Sequence, residues 1–183
     1  TGSVTITGTV TEDQVLTASN TLADGDGLGT ISYQWQRGGT DISGANASTY
    51  TITQSDVGTA ITVAATYTDG GGTAESKASS ATGAVVNVND NPTGSVTITG
   101  TVTEDQVLTA SNTLVDEDGL GAISYQWQRD GTDIGGANAS TYTITQSDVG
   151  SAITVVTSYT DGEGTAETVT SAATGAVVNV NDD

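Results

Sequence analysis

Residues 1–90 recur as residues 93–182 at an offset of 92, with no insertion or deletion and about 14 substitutions. Nothing else in the sequence restricts its folding as much. Solenoid units repeat every ~20–50 residues because one unit cannot bury its apolar face alone. A 90-residue repeat is long enough to close a core of its own. The chain is therefore expected to make the same domain twice, over 1–90 and over 93–183, with a linker at 91–92. The joint has its own chemistry. Val86-Asn87-Val88-Asn89-Asp90-Asn91-Pro92 is dense in amide and carboxylate oxygen and ends in the only proline of the chain. Its first five residues return as Val178-Asn179-Val180-Asn181-Asp182.

Inside a repeat the apolar residues alternate, and turn residues interrupt them every ~8–12 positions, which predicts an all-β sandwich or barrel. The expected strands cover 3–7, with Val4 and Ile6 on one face; 15–20; 31–36, with Ile31, Tyr33 and Trp35 facing the core; 48–53; 60–67, with Ile61, Val63 and Tyr67 inward; and a last strand from Glu75 to about Val88. A short edge strand and turn are expected over 41–47, and a corner at Ser55-Asp56-Val57-Gly58. No stretch carries a capped helical period. The single Trp of each repeat, on a strand of period two, is expected as a core anchor.

The 22 acidic residues face three basic ones, Arg37, Lys77 and Arg129, for a formal charge of −19. Nucleic acid and anionic membranes are poor partners for such a chain, since phosphate binding needs clustered Lys and Arg. Bound cations or a well-solvated surface suit it better. No Cys, His, Met or Phe occurs, which excludes a disulfide framework, thiolate chemistry and ordinary zinc sites. No apolar run approaches the ~20 residues of a membrane helix, so no membrane insertion is expected. No signal peptide is visible, and the first residues stand mid-pattern, so the sequence reads as a fragment of something longer.

The acids follow the topology. If successive loops alternate between the ends of a sandwich, Glu12, Asp13 and Asp56 lie at the end where a repeat exits. Asp24, Asp26 and Asp69, and their counterparts Asp116, Asp118 and Asp161, lie at the end where it enters. Stacking the two domains end to end through Asn89-Asp90-Asn91 gathers Glu12, Asp56, Asn89, Asp90, Asn91, Asp116, Asp118 and Asp161, with Asp13 and Glu117 nearby. Like charges so close need a cation among them. Ca²⁺ takes ~6–8 oxygen ligands in flexible geometry, whereas Mg²⁺ demands a tight octahedron and keeps its waters. Calcium is therefore the expected cofactor. The Asp24, Asp26 and Asp69 set is expected as half a site, and so is Glu104, Asp105, Asp148 and Asp182 at the far end.

Tyr33-Gln34-Trp35, with Asp56-Val57-Gly58 leading into the next strand, resembles an immunoglobulin-type sandwich that lacks the inter-sheet disulfide. Ile31-Ser32-Tyr33-Gln34-Trp35, Ser55-Asp56-Val57-Gly58 and Tyr67-Thr68-Asp69-Gly70 resemble the bacterial Ig-like repeats of giant secreted RTX-type adhesins, and the likeness covers nearly the whole chain. The joint is similar to the cadherin interdomain calcium site. Asn87-Val88-Asn89-Asp90-Asn91-Pro92 matches that linker with Asn87 in place of its first Asp. Glu12 matches the base glutamate, Asp116-Glu117-Asp118 the Asp-x-Asp loop, and Asp161 the further aspartate. Asp56 stands for a segment whose second acid is missing.

These resemblances imply two tandem Ig-like Greek-key sandwiches arranged end to end. They imply an extracellular, cell-surface, non-enzymatic role as a calcium-stiffened extender in cell adhesion and biofilm, with neighbouring identical repeats as partners in a monomeric chain. The alternative is an Ig-like recognition module that binds carbohydrate or protein through its loops. Asp24-Gly25-Asp26-Gly27 opens like an EF-hand loop but meets Trp35 where the loop needs Glu. Asn46-Ala47-Ser48 fits a glycosylation acceptor, a match too short to decide alone. Without His or Cys, and with no Ser in a nucleophile-elbow setting, catalysis has little to work with.

Overall fold

A computed structural model describes residues 1–181. It divides into two compact units, Thr1–Val88 and Asn89–Asp183. The first holds β1 (Val4–Thr7), β2 (Val15–Asn20), β3 (Ser32–Arg37), β4 (Thr40–Asp41), β5 (Thr49–Thr51), β6 (Ile61–Thr68) and β7 (Ala74–Ala78). The second holds β8 (Val96–Thr99), β9 (Val107–Asn112), β10 (Ser124–Arg129), β11 (Thr132–Asp133), β12 (Thr141–Thr143), β13 (Ile153–Thr160) and β14 (Ala166–Thr170). In each unit the strands form a three-stranded sheet, β1-β2-β5 or β8-β9-β12, and a four-stranded one, β4-β3-β6-β7 or β11-β10-β13-β14. Every pairing between these strands is antiparallel. The chain changes sheet after β2, β4 and β5, the Greek-key connectivity of an Ig-like sandwich.

Alternation puts one face of each strand in the core. Val4, Leu16, Ala18, Trp35, Ile52, Ile61, Val63, Ala65 and Val85 fill the first unit; the second repeats them except that Thr157 is buried in place of Ala65, and Leu114, Tyr142 and Tyr159 join the core. Trp35 is fully buried, its ring stacked on Tyr50 at 5.7 Å, and its indole N–H donates to the Ala47 carbonyl at 2.9 Å. The Trp therefore ties the loop after β4 to the core, as well as filling space. Tyr33, Tyr67, Ile31 and Ile6 are only half-buried, so the inward faces at the strand ends are wetter than the alternation implies.

The last strand is shorter than expected. Instead of running to Val88 it stops at Ala78 and resumes as single bridges at Ala84, Val85 and Val86. Side chains take over half of the ladder in between: Ser79 and Thr82 N–H still donate to the Val63 and Ile61 carbonyls, but the Val63 and Ile61 N–H groups donate to the Ser79 and Thr82 hydroxyls. The edge strand over 41–47 reduces to Thr40–Asp41, and the rest is a turn.

Two consequences position the acidic residues. Val86 bridges Thr11 in parallel, with Glu12 N–H donating to the Val86 carbonyl, so the exit of the repeat runs beside the β1–β2 turn. At the other end the β2–β3 and β6–β7 loops meet, with Gly70 N–H donating to the Gly27 carbonyl.

Candidate metal-binding site

In the second unit the β9–β10 loop carries Asp116 and Asp118, and the β13–β14 loop carries Asp161. Their backbones touch: Gly162 N–H donates to the Asp118 carbonyl at 2.9 Å. Such an approach needs glycine. A Cβ on Gly121 would collide with the Thr160 carbonyl, and one on Gly162 would lie 2.5 Å from the Asp118 carbonyl.

Side-chain bonds then orient the carboxylates. Asp116 Oδ1 accepts from Asp118 N–H at 2.9 Å, and Asp116 Oδ2 from the Tyr159 hydroxyl. Burial, with that bond to a carboxylate behind it, pushes the Tyr159 pKa well up. Asp161 Oδ1 accepts from Thr165 N–H at 2.7 Å and Glu163 N–H at 3.0 Å. Asp118 Oδ2 accepts from Asp90 N–H at 2.7 Å, which pins the start of this unit onto the loop.

All three aspartates are buried, at 8%, 4% and 6% exposure for Asp116, Asp118 and Asp161. Yet Asp118 Oδ1 and Asp161 Oδ2 are buried atoms with no hydrogen-bond partner among the described residues. An unsatisfied buried acceptor costs ~1–3 kcal/mol, and more when it carries charge. A hard cation with oxygen preference removes that cost, so the donor set fits calcium. Asn89 is exposed and donates its amide to Glu167 at 2.9 Å, while Asn91 is exposed. Glu167, on β14, is a neighbour of the joint to which period-two alternation gives no role beyond a strand position.

The first unit carries the same loop residues in a more open setting. Asp24, Asp26 and Asp69 each place an oxygen within 4.8 Å of the others. Asp24 and Asp69 are half-exposed and Asp26 is exposed. The Asp24 pKa is lowered by the Asp26 N–H and then by the Tyr67 hydroxyl, 2.9 Å away.

At the exit end of the first unit, Glu12 is 2% exposed, and one of its oxygens accepts from Val88 N–H at 3.3 Å. Gln54 Oε1 and Asn87 Oδ1 are buried without a hydrogen-bond partner among the described residues. In the second unit the matching Glu104 accepts from Val180 N–H at 3.2 Å. With its amide turned so that nitrogen faces the carboxylate, Gln146 reaches Glu104 at 2.8 Å. Residue type alone does not mark the two glutamines as site residues. Their only signal in the sequence is position, two residues ahead of the corner aspartate.

That aspartate departs from expectation. Asp56 is among the expected ligands, but its side chain turns into the protein. Oδ1 accepts from Arg37 Nε at 2.7 Å; Oδ2 accepts from the Tyr50 hydroxyl, Thr53 N–H and the Thr53 hydroxyl at 2.7, 2.8 and 3.0 Å. Asp148 repeats the arrangement with Arg129, Tyr142 and Thr145. Burial pushes the Asp56 pKa up, but the bonds from Arg37, Tyr50 and Thr53 outweigh it and hold the carboxyl below its usual range. Both oxygens are committed, so Asp56 is a structural anchor of the corner and is not a free ligand. Of the half-site expected at the far end, Asp148 is withdrawn in the same way, and Asp182 lies outside the described residues.

No protein-family model matches the sequence, and no curated protein matches it. Solved structures do align with it. The three N-terminal domains of the bacteriophage RB49 highly immunogenic outer capsid protein (Hoc) align over 93% of this chain and 58% of theirs, at 18% identity and a TM-score of 0.33. Fibronectin(III)-like modules of Clostridium thermocellum CbhA align over 96% and 94%, at 20% identity and 0.32. The tandem Ig repeats of Dlar align over 98% and 91%, at 13% identity and 0.31. The chain thus spans under two thirds of the capsid-protein structure. Scores this low carry no argument about function, and the fold class rests on the sheet order above: a tandem of two Ig-like β-sandwich modules.

Proposed function

We propose that the chain is a pair of extender repeats from a secreted bacterial surface adhesin, stiffened by Ca²⁺ at the joint between repeats, which hold a distal ligand-binding region away from the cell. The observation that carries this reading is the pair of buried, unpartnered carboxylate oxygens on Asp118 and Asp161, beside the Asp90 backbone. A chain of formal charge −19 would not bury such oxygens unless something positive answered them. Asp118 and Asp161 supply the primary ligands, Asp116 and Asp90 stand alongside, and Asn89 and Asn91 offer amide oxygens. The bound ion supplies charge neutralisation and a cross-link between backbone segments. No chemical step is involved, which suits a mechanical role.

Near-identity of the repeats supports extension over recognition, since a spacer gains length from every copy. Extracellular calcium sites bind at ~10⁻⁴–10⁻³ M, so such a joint is loose inside a cell and firm outside it. The test uses the whole chain, chelated and then brought to millimolar calcium. Calcium should raise the melting temperature and lengthen the particle in small-angle scattering. Magnesium at the same concentration should do much less. A melting temperature and scattering curve indifferent to calcium would overturn the proposal.

A further inference from the structure

Each repeat also carries an Asn-x-Ser triplet: Asn46-Ala47-Ser48 on the β4–β5 loop and Asn138-Ala139-Ser140 on the β11–β12 loop. All six residues are exposed.

The backbone of the triplet is structurally committed. The Ala47 carbonyl accepts from the Trp35 indole, and the Ser48 carbonyl accepts from Ala18 N–H at 2.8 Å. The side chains of Asn46 and Ser48, by contrast, make no hydrogen bond among the described residues, and neither do those of Asn138 and Ser140. The positive φ that this turn requires is taken by Gly44 and Gly136, at 76° and 78°, so the asparagines are not there to supply it. Neither the fold nor the proposed joint accounts for an Asn and a Ser two residues apart. Both repeats also place a groove of about 430–450 Å³ against this loop, lined by the asparagine, threonine hydroxyls, a tyrosine and Arg37 or Arg129. Threonines, the asparagine and an arginine stand in its wall beside Ile42 or Ile134 and two alanines, a mixed polar and apolar surface that suits the two faces of a sugar ring and leaves room beside the acceptor.

We infer that Asn46 and Asn138 are acceptors for N-linked glycosylation, with the first sugar lying over the adjoining groove. In the transfer, the asparagine amide nitrogen attacks the anomeric carbon of a diphosphate-activated sugar supplied by a glycosyltransferase. A C–N bond forms, the C–O bond to the diphosphate breaks, the diphosphate leaves with the electron pair, and the amide nitrogen loses one proton. The hydroxyl at Ser48 or Ser140 is the element such enzymes read beside the asparagine.

The test is direct. The folded full-length chain is incubated with a soluble N-glycosyltransferase and UDP-glucose, and its intact mass is measured. Two hexose masses are expected. Asn46→Gln and Asn138→Gln should each remove one, Ser48→Ala should remove the one at Asn46, and Ser48→Thr should retain it. A peptide spanning residues 44–50 serves as control. A modified peptide beside an unmodified folded chain would show that the fold withholds the acceptor, and an unmodified peptide would show that the triplet is not one; either overturns the inference. So does attachment at any other residue, or a modified chain that melts below the unmodified one.

Discussion

Replacing Asp118 by asparagine should have opposite effects with and without calcium. In chelator, the wild-type second unit holds Asp118 Oδ1 and Asp161 Oδ2 buried without partners. Each costs ~1–3 kcal/mol as an unsatisfied acceptor, with mutual charge repulsion in addition. The Asp118→Asn substitution removes one charge and keeps an oxygen for the bond that Asp90 N–H donates. The variant should therefore match or exceed the wild type in melting temperature. In calcium the ranking reverses. At a concentration of ~100 Kd the wild type gains about 2.7 kcal/mol from the ion. For a domain of this size that is on the order of 10–20 °C. The variant forfeits most of it. Differential scanning calorimetry of both proteins in each condition reads this out, and the sign of the difference is the result. An Asp118→Asn variant equally destabilised in chelator and in calcium would mean that the carboxylate serves only its hydrogen bond, and the cation argument would fail. The first unit is an internal reference, because Asp24, Asp26 and Asp69 are more exposed. Its transition should move less.

The withdrawn corner aspartates behave differently. Asp56→Ala leaves Arg37, Tyr50 and Thr53 without their acceptor; breaking a buried pair costs ~3–5 kcal/mol, and because Arg37 is about one-third exposed the lower end applies. Urea melts should show this loss equally with and without calcium. The same groups set a pH window. Asp56 and Asp148 are depressed in the fold, so their contribution is present above about pH 4 and is lost as pH falls through the folded values. Tyr50, Tyr142 and Tyr159 are raised, chiefly by burial, so theirs is present below about pH 10 and is lost as pH rises beyond it. Stability followed by fluorescence across that range should fall at both ends. Gly121→Ala forces the β9–β10 loop off the Thr160 carbonyl. It should cost ~1–3 kcal/mol, and calorimetric titration should show weaker calcium binding, because Asp116 and Asp118 move away from Asp161.

Much of the sandwich was legible in the sequence because period-two alternation is a direct record of which face is buried. Val15–Asn20 forms as expected, and Trp35, Ile61 and Val63 reach full burial. What alternation cannot register is a side chain replacing a ladder bond, and so Ser79 and Thr82 end the last strand early. The site was legible only as far as the topology of loops. That logic brings Asp118 and Asp161 into adjoining loops, and it places Asp56 at the exit end. It cannot say which way a side chain points. Asp56 turns inward because an arginine, a tyrosine and a threonine, up to 19 residues away in sequence, converge on it. Gln54, two residues earlier, keeps a buried unpartnered oxygen instead. The sharper case is the pair of trios. Asp24, Asp26 and Asp69 have the same residue types, spacing and strands around them as Asp116, Asp118 and Asp161, yet only the second trio is buried. The second repeat is preceded by Asn89–Pro92, and the Asp90 N–H from that segment sits on Asp118. Burial of this trio is therefore a property of the repeat together with the chain that leads into it. By that logic, fusing Val86–Pro92 ahead of Thr1 should bury Asp26 and give the first repeat a calcium response of its own, read as a rise in the melting temperature of its transition; a first transition still indifferent to calcium would show that the leading segment is not what completes the site.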